Sequence, residues 1–184
     1  MPAIVEFYPK RQAAEEMREG DFLLTHGDYL VSRLIRFGQR LRHEERWYAR
    51  WNHVVLVLSK DGRIAEALSQ GVVENHISKY EGKDYYLVRL QGVSDEDRGQ
   101  MMAFASSVQS SPDRTEYGWI TIASIILTLL TSSRFVFGLV GTAICSDFVA
   151  ETLVRTGVIF EKPPSHMMPA DLAKKYLTPS QAAA

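Results

Sequence analysis

A single cysteine, Cys145, stands in a chain of 184 residues. An internal disulfide is therefore excluded, and so are the paired-cysteine spacings of structural zinc sites. One-sided charge is also missing: 21 Lys and Arg face 22 Asp and Glu. Bulk electrostatics accordingly select neither a nucleic acid nor any other strongly charged partner. No apolar run reaches the ~20 residues a membrane-spanning helix needs. The five histidines, His26, His43, His53, His76 and His166, are scattered without ligand spacing, so neither a metal nor a cofactor is expected. The opening Met1-Pro2-Ala3-Ile4-Val5-Glu6 lacks the charged-then-apolar plan of a signal peptide, and the expected location is the cytoplasm. With no repeat and no low-complexity tract, residues 1–184 read as a single domain large enough to bury its own core.

What is present centres on the stretch from Thr142 to Leu153. An apolar run there becomes an amphipathic helix, with Phe148, Val149, Thr152 and Leu153 at core-facing spacing and Ser146 and Asp147 suited to its start. Cys145 then falls at the helix N-terminus, where unpaired N–H groups and the positive end of the dipole favour a thiolate. A lone cysteine among apolar residues is also a common small core residue.

The rest of the chain supplies a frame. Arg11 to Glu19 suits a short solvated helix ending at Gly20, and Gly20-Asp21-Phe22-Leu23-Leu24-Thr25 a turn into a strand. Leu30, Leu34, Ile35 and Phe37 keep helical spacing over Tyr29 to Leu41, with Arg33, Arg36 and Arg40 between them. Arg42, Arg46 and Arg50 continue the basic run among Trp47, Tyr48 and Trp51. That mixture fits either binding to a nucleic acid or an anionic membrane surface, or a solvated face with arginines stacked on aromatics. Asn52 to Ser59 is β-branched and apolar, Lys60-Asp61-Gly62 a turn, and Arg63 to Leu68 the returning strand, so a buried hairpin carries His53 at its entrance and Glu66 in its second arm. Asp84 to Leu90 reads as a third strand. Ser94 caps a helix with Met101, Phe104, Ala105 and Val108 on one face. An apolar helical segment at about 117–140 places Thr121, Ser124 and Thr128 on one face; it suits a buried helix, a membrane-dipping hairpin or the wall of a greasy site. Gly157 ends the cysteine helix, Pro163-Pro164 forces an extended loop, and Met168 to Ala173 begins a last short helix. Gln181 to Ala184 reads as a frayed tail.

His53, Glu66 and Cys145 are the residue types thiol catalysis needs: a nucleophile, an imidazole to take its proton, and a polar group to orient the ring. In order and surroundings they resemble a known family. Gly20-Asp21-Phe22-Leu23-Leu24, then Trp51-Asn52-His53-Val54-Val55, then Gly62-Arg63-Ile64-Ala65-Glu66-Ala67, then Ile144-Cys145-Ser146-Asp147-Phe148-Val149 look like the circularly permuted NlpC-type papain-like proteins, the YiiX-like group. The cysteine helix comes last here, as in the permuted branch. One departure is Asn52-His53-Val54-Val55, where the family usually has a small residue followed by His-Val-Gly.

The resemblance implies a papain-like α+β fold, a small antiparallel sheet packed on the cysteine-bearing helix. It implies a cysteine hydrolase or acyltransferase for amide or ester bonds, with Cys145 as nucleophile, His53 as general base and acid, and Glu66 as the orienting group. The second oxyanion donor stays open among Tyr29, Trp51 and Asn52. A two-residue Asp61-Gly62 turn would pair Glu66 with Val57, about four residues along the strand from His53. At ~3.4 Å per residue that is beyond direct reach, which leaves Glu74, His76 or a backbone carbonyl as alternatives. The implied partners are a small-molecule, peptide or lipid substrate with an acyl or amide bond and, at a basic face, a membrane surface; nucleic acid is not favoured. The competing function is a catalytically silent module of the same fold that binds a ligand or membrane.

Overall fold

The computed structural model describes residues 1–27, 47–68, 71–110 and 145–183, together with Arg33, Arg36 and Arg40. Those three arginines are helical. The rest of the expected Tyr29 to Leu41 helix, and the whole apolar segment at 117–140, lie outside the described residues.

The architecture is α+β. Six strands, β1 (Ala3–Tyr8), β2 (Phe22–Thr25), β3 (His53–Val57), β4 (Arg63–Leu68), β5 (Gly71–His76) and β6 (Tyr85–Leu90), form one sheet in the order β1-β6-β2-β3-β4-β5. Every neighbouring pair runs antiparallel. Four α-helices are described: α1 (Asp95–Gln109), α2 (Cys145–Val154), α3 (Pro169–Tyr176) and α4 (Pro179–Ala183). A one-turn 3₁₀ helix, Ile77–Tyr80, follows β5.

Strand alternation divides the core between two sheet faces. Phe22, Leu24, Val54, Leu56, Ala65 and Val88 pack with Met101 and Ala105 of α1, Phe148, Val149 and Leu153 of α2, and Leu172 of α3. Leu23, Val55, Val57, Ile64, Tyr85 and Leu87 pack on the other face with Ala14, Met17, Ile77 and Tyr80. The central strands are therefore buried on both sides, which is why β3 reads as a continuous apolar run.

Two expectations fail for identifiable reasons. Arg11 to Glu19 forms no helix. It is an irregular strap that drops Ala14 and Met17 onto the second face and donates a hydrogen bond from the Ala14 N–H to Tyr85 Oη at 3.0 Å; tertiary contacts outweigh its helix propensity. Residues 181–183 are not frayed either. Thr178-Pro179-Ser180-Gln181 makes a capping box: Thr178 Oγ1 accepts the Gln181 N–H and Gln181 Oε1 accepts the Thr178 N–H at 2.9 Å. The α4 turn that follows buries Ala182 completely. By contrast the α1 cap is as read, a reciprocal pair between Ser94 and Asp97.

The Gly20-Asp21 pair is structural. Gly20 has φ +83°, and a Cβ there would meet Met101 Cε at 2.8 Å. Asp21 is fully buried, and its Oδ2 accepts hydrogen bonds from Arg89 Nε and Nη2 and from the Arg18 N–H at 2.8–3.0 Å. Both lie beside Val57, at the end of β2 away from His53.

Candidate active site

The hairpin turn decides where Glu66 sits. Four residues, Ser59 to Gly62, form the loop. Ser59 Oγ donates to the Asp61 carboxylate, the Gly62 N–H bonds the Ser59 carbonyl, and Gly62 takes φ +93° under Ile77 and His76. The first bonded pair after the loop is Leu58 with Arg63, and the ladder continues as Val57↔Ile64 and Leu56↔Ala65. That register sets Glu66 opposite Val55, so it lies two residues along from His53 on the same face, not four. The expected two-residue turn is thus corrected, and the separation becomes one a glutamate side chain spans.

Beyond Leu56↔Ala65 the two strands pair no further, although β2 follows β3 to Thr25↔His53 and β5 follows β4 to Leu68↔Gly71. The sheet is split at that end. Helix α2, which packs against β3 and β4, starts there with Cys145.

Within the split the three side chains named from the sequence come together. His53 Nε2 lies 3.0 Å from Glu66 Oε2. Cys145 is within hydrogen-bonding reach of the same imidazole, and because Glu66 takes Nε2, Nδ1 is the nitrogen left for the thiol. All three are buried, with exposures of 7% for His53, 1% for Glu66 and 5% for Cys145. Ser146 Oγ donates to the Met167 carbonyl at 2.6 Å, which ties the residue after the cysteine to the loop ahead of α3.

Glu66 is held by more than the histidine. Asn75 Nδ2 and Lys79 Nζ donate to Oε1, the former at 2.8 Å, and Tyr80 Oη donates to Oε2 at 2.7 Å. The Tyr80 ring also lies over His53, 6.4 Å between centroids at 25°. Burial alone would raise the Glu66 pKa, but the bonds from His53, Lys79 and Tyr80 outweigh it and hold the carboxyl down at about 2. Burial likewise works to lower the His53 pKa. The charge and hydrogen bond of Cys145, then those of Glu66, reverse the sign and raise it to about 9. Asp147, in the first turn of α2, is pushed up to about 6 by burial and by Glu151.

The alternatives for the third group are occupied elsewhere. Glu74 faces Arg63 on the surface, and His76 bonds the Asp61 carbonyl and Ser78. Asn75, Lys79 and Tyr80 were not legible as site residues; nothing local in Glu74-Asn75-His76-Ile77-Ser78-Lys79-Tyr80 marks them, because their role depends on β5 pairing with β4.

A second polar cluster closes the neighbouring corner. The His26 ring donates from Nδ1 to the Arg50 carbonyl at 2.9 Å and accepts at Nε2 from Arg50 Nε at 3.1 Å, which defines a neutral ring. Burial, the largest influence, lowers its pKa accordingly. Its 3.4 Å approach to Asp84 is then a contact between two acceptors, and Asp84 is paired by Arg50 at 2.6 Å. Trp51 is buried, stacked on His26 at 4.6 Å, with the Arg50 guanidinium 5.3 Å from its ring centre. At this one position of the basic stretch an arginine does lie on an aromatic ring. Asn52 braces the end of β2, accepting the Gly27 N–H at 2.6 Å and donating to the Gly27 carbonyl. Tyr29 lies outside the described residues.

Comparison of the chain with family models, with curated proteins and with solved structures returned no match in any of the three. Among the described residues no helix is long and apolar enough to cross a membrane, and no group of three or more His, Cys, Asp or Glu could hold a metal ion.

Proposed function

We propose that the chain is a cysteine-dependent hydrolase or acyltransferase of amide or ester bonds, built on a permuted NlpC-type papain-like fold. The observation that carries this is His53 standing between Cys145 and Glu66, with the distant helix α2 meeting the β3–β4 hairpin at one split in the sheet. Cys145 is the nucleophile. His53 Nδ1 takes the thiol proton as the sulfur attacks the carbonyl carbon, and a C–S bond forms while the carbonyl electrons move to oxygen. We assign N–H groups at the start of α2 as the donors to that oxyanion. When it collapses, the C–N or C–O bond breaks, His53 returns its proton to the departing amine or alcohol, and a thioester remains. Water or another acceptor, deprotonated by His53, then attacks the thioester and releases the thiol. Glu66 keeps Nε2 protonated and the ring oriented throughout.

The substrate class is an acyl group in amide or ester linkage, from a small molecule, a peptide or a lipid. Alkylation of Cys145 by iodoacetamide across pH tests the reading. Reactivity persisting well below the free-cysteine pKa of about 8.5, and lost in His53→Ala, is the expected result. A thiol that is inert, or that titrates alike in both proteins, would overturn it in favour of a silent ligand-binding module.

A further inference from the structure

Glu66 is saturated in a way a triad carboxylate need not be. A carboxylate has about four acceptor positions, and here four donors fill them: Asn75 and Lys79 on Oε1, His53 and Tyr80 on Oε2. Two of the four are cations when His53 is protonated, one on each oxygen. Lys79 reaches the carboxylate from the solvent side; its side chain is 34% exposed, while that of Glu66 is 1% exposed. Its anchor is the 3₁₀ turn Ile77–Tyr80, whose Ile77 is buried and whose first N–H groups bond the Gly62 carbonyl and His76 Nδ1.

From this geometry we infer that Lys79 is a positioning residue. It fixes the outer oxygen of Glu66 and competes with His53 for the carboxylate charge, and so sets the pH at which His53 releases its proton. The inference rests on the reading that His53 is the group that takes the Cys145 proton. The groups facing this pair are few. Cys145 of α2 and Tyr80 of the 3₁₀ turn face His53; Lys79 and Tyr80 face Glu66. Asn75 of β5 and Thr25 of β2 adjoin the pair without titrating, and Glu74 is turned to Arg63. Lys79 is thus the one cation besides His53 on the carboxylate among the described residues. Without it the whole Glu66 charge acts on the imidazolium, so the ring holds its proton to higher pH.

The test is a ¹³C-histidine NMR titration of His53 in a Cys145→Ala background, where the midpoint belongs to the histidine and not to a coupled thiol–imidazole pair. Lys79→Met is expected to raise the midpoint by about one pH unit, and Lys79→Arg, which keeps the charge, to leave it in place. Should Met destabilise the turn, Lys79→Gln removes the charge while keeping a donor. An unchanged midpoint in both neutral variants, or the same rise in Lys79→Arg, overturns the inference. Iodoacetamide alkylation of proteins that retain Cys145 separates this from the catalytic reading. A midpoint that moves while the wild-type thiol is inert leaves the Lys79 linkage standing and removes the enzyme. A reactive wild-type thiol with an unmoved midpoint does the reverse.

Discussion

Asp21 and Glu66 are two carboxylates of the same sheet, each essentially excluded from water, and they have been treated oppositely. Asp21 puts three donors on Oδ2, two of them from Arg89, while its buried Oδ1 has no hydrogen-bond partner among the described residues. Burial therefore prevails and its pKa is raised, with Arg89 and the Arg18 N–H only partly offsetting it. Glu66 has two donors on each oxygen, and its pKa falls to about 2. What separates them is not depth but how completely the acceptor positions are filled. One carboxylate closes the structure at the head of β2; the other holds a histidine in a set orientation beside a thiol.

The largest effect that could break this comparison is on stability. Asp21→Ala strands Arg89, whose side chain is only 13% exposed, as an unpaired charge, and the expected loss is about 3–5 kcal/mol by denaturant unfolding. Asp21→Ala/Arg89→Met should recover much of it. A loss below about 1 kcal/mol would mean that Arg89 finds water, and that the pair holds the strand far less firmly than its burial implies.

Glu66→Gln should show the opposite balance. Its stability cost is expected near 1–2 kcal/mol, since Lys79 turns outward to solvent, but the His53 imidazolium loses its anionic partner. Alkylation of Cys145 at pH 6 is expected to slow by at least about tenfold. Should Glu66→Gln unfold the chain, or leave the thiol as reactive as before, the division of labour between the two carboxylates fails.

Acid titration sharpens the contrast because the two groups carry opposite signs. Glu66 has its folded pKa below the ordinary value of 4.5. Its contribution is fully present above that value and is lost as pH falls through about 2. Asp21 has its folded pKa raised, so its contribution is present at low pH and is lost as pH rises through the carboxylate range. Unfolding free energies measured from pH 2 to 6 should show the acid-side decline weakened in Glu66→Gln and deepened in Asp21→Asn. His53 adds an alkaline limb of its own. Its raised pKa gives stability that is full below about 6.5 and is lost as pH rises through about 9.

Much of this arrangement is legible in the amino-acid sequence. The β3 and β4 hairpin, β6, the Ser94 cap and the placement of Cys145 at the head of a helix follow from short β-branched and apolar runs, a turn signal and short polar capping residues. Strands β1 and β5 escape a sequence reading because each lies at an edge and only part of each is apolar: Ala3–Tyr8 buries no residue fully, and on one face of β5 buried Val72 is followed by exposed Glu74 and His76. A two-residue turn overstates the separation of Glu66 and His53 by two residues because the loop length hinges on Ser59 and Gly62, and side-chain bonding within a turn is not visible in hydrophobic pattern. The clamp on Glu66 needed β5 to be known first. The C-terminal turn, by contrast, did carry its signal in Thr178-Pro179-Ser180-Gln181.

That turn supplies the smallest prediction and a control for the others. Thr178 Oγ1 satisfies one otherwise unpaired N–H of α4, while Gln181 closes the box, and its carbonyl accepts the Tyr86 hydroxyl at 2.8 Å. Thr178→Ala removes the cap at an expected cost of about 1 kcal/mol. Amide hydrogen exchange of residues 180–183 should rise locally, since a five-residue helix held by one cap and one buried alanine has little else to keep it closed. Neither Asp21 nor Glu66 contacts the turn, so the Cys145 alkylation profile should keep its wild-type midpoint and amplitude. This variant therefore fixes how much reactivity a modest loss of stability removes by itself. If its alkylation falls as far as that of Glu66→Gln, the effect at Glu66 is one of general loosening, and a carboxylate specialised for orienting His53 is no longer needed to explain it.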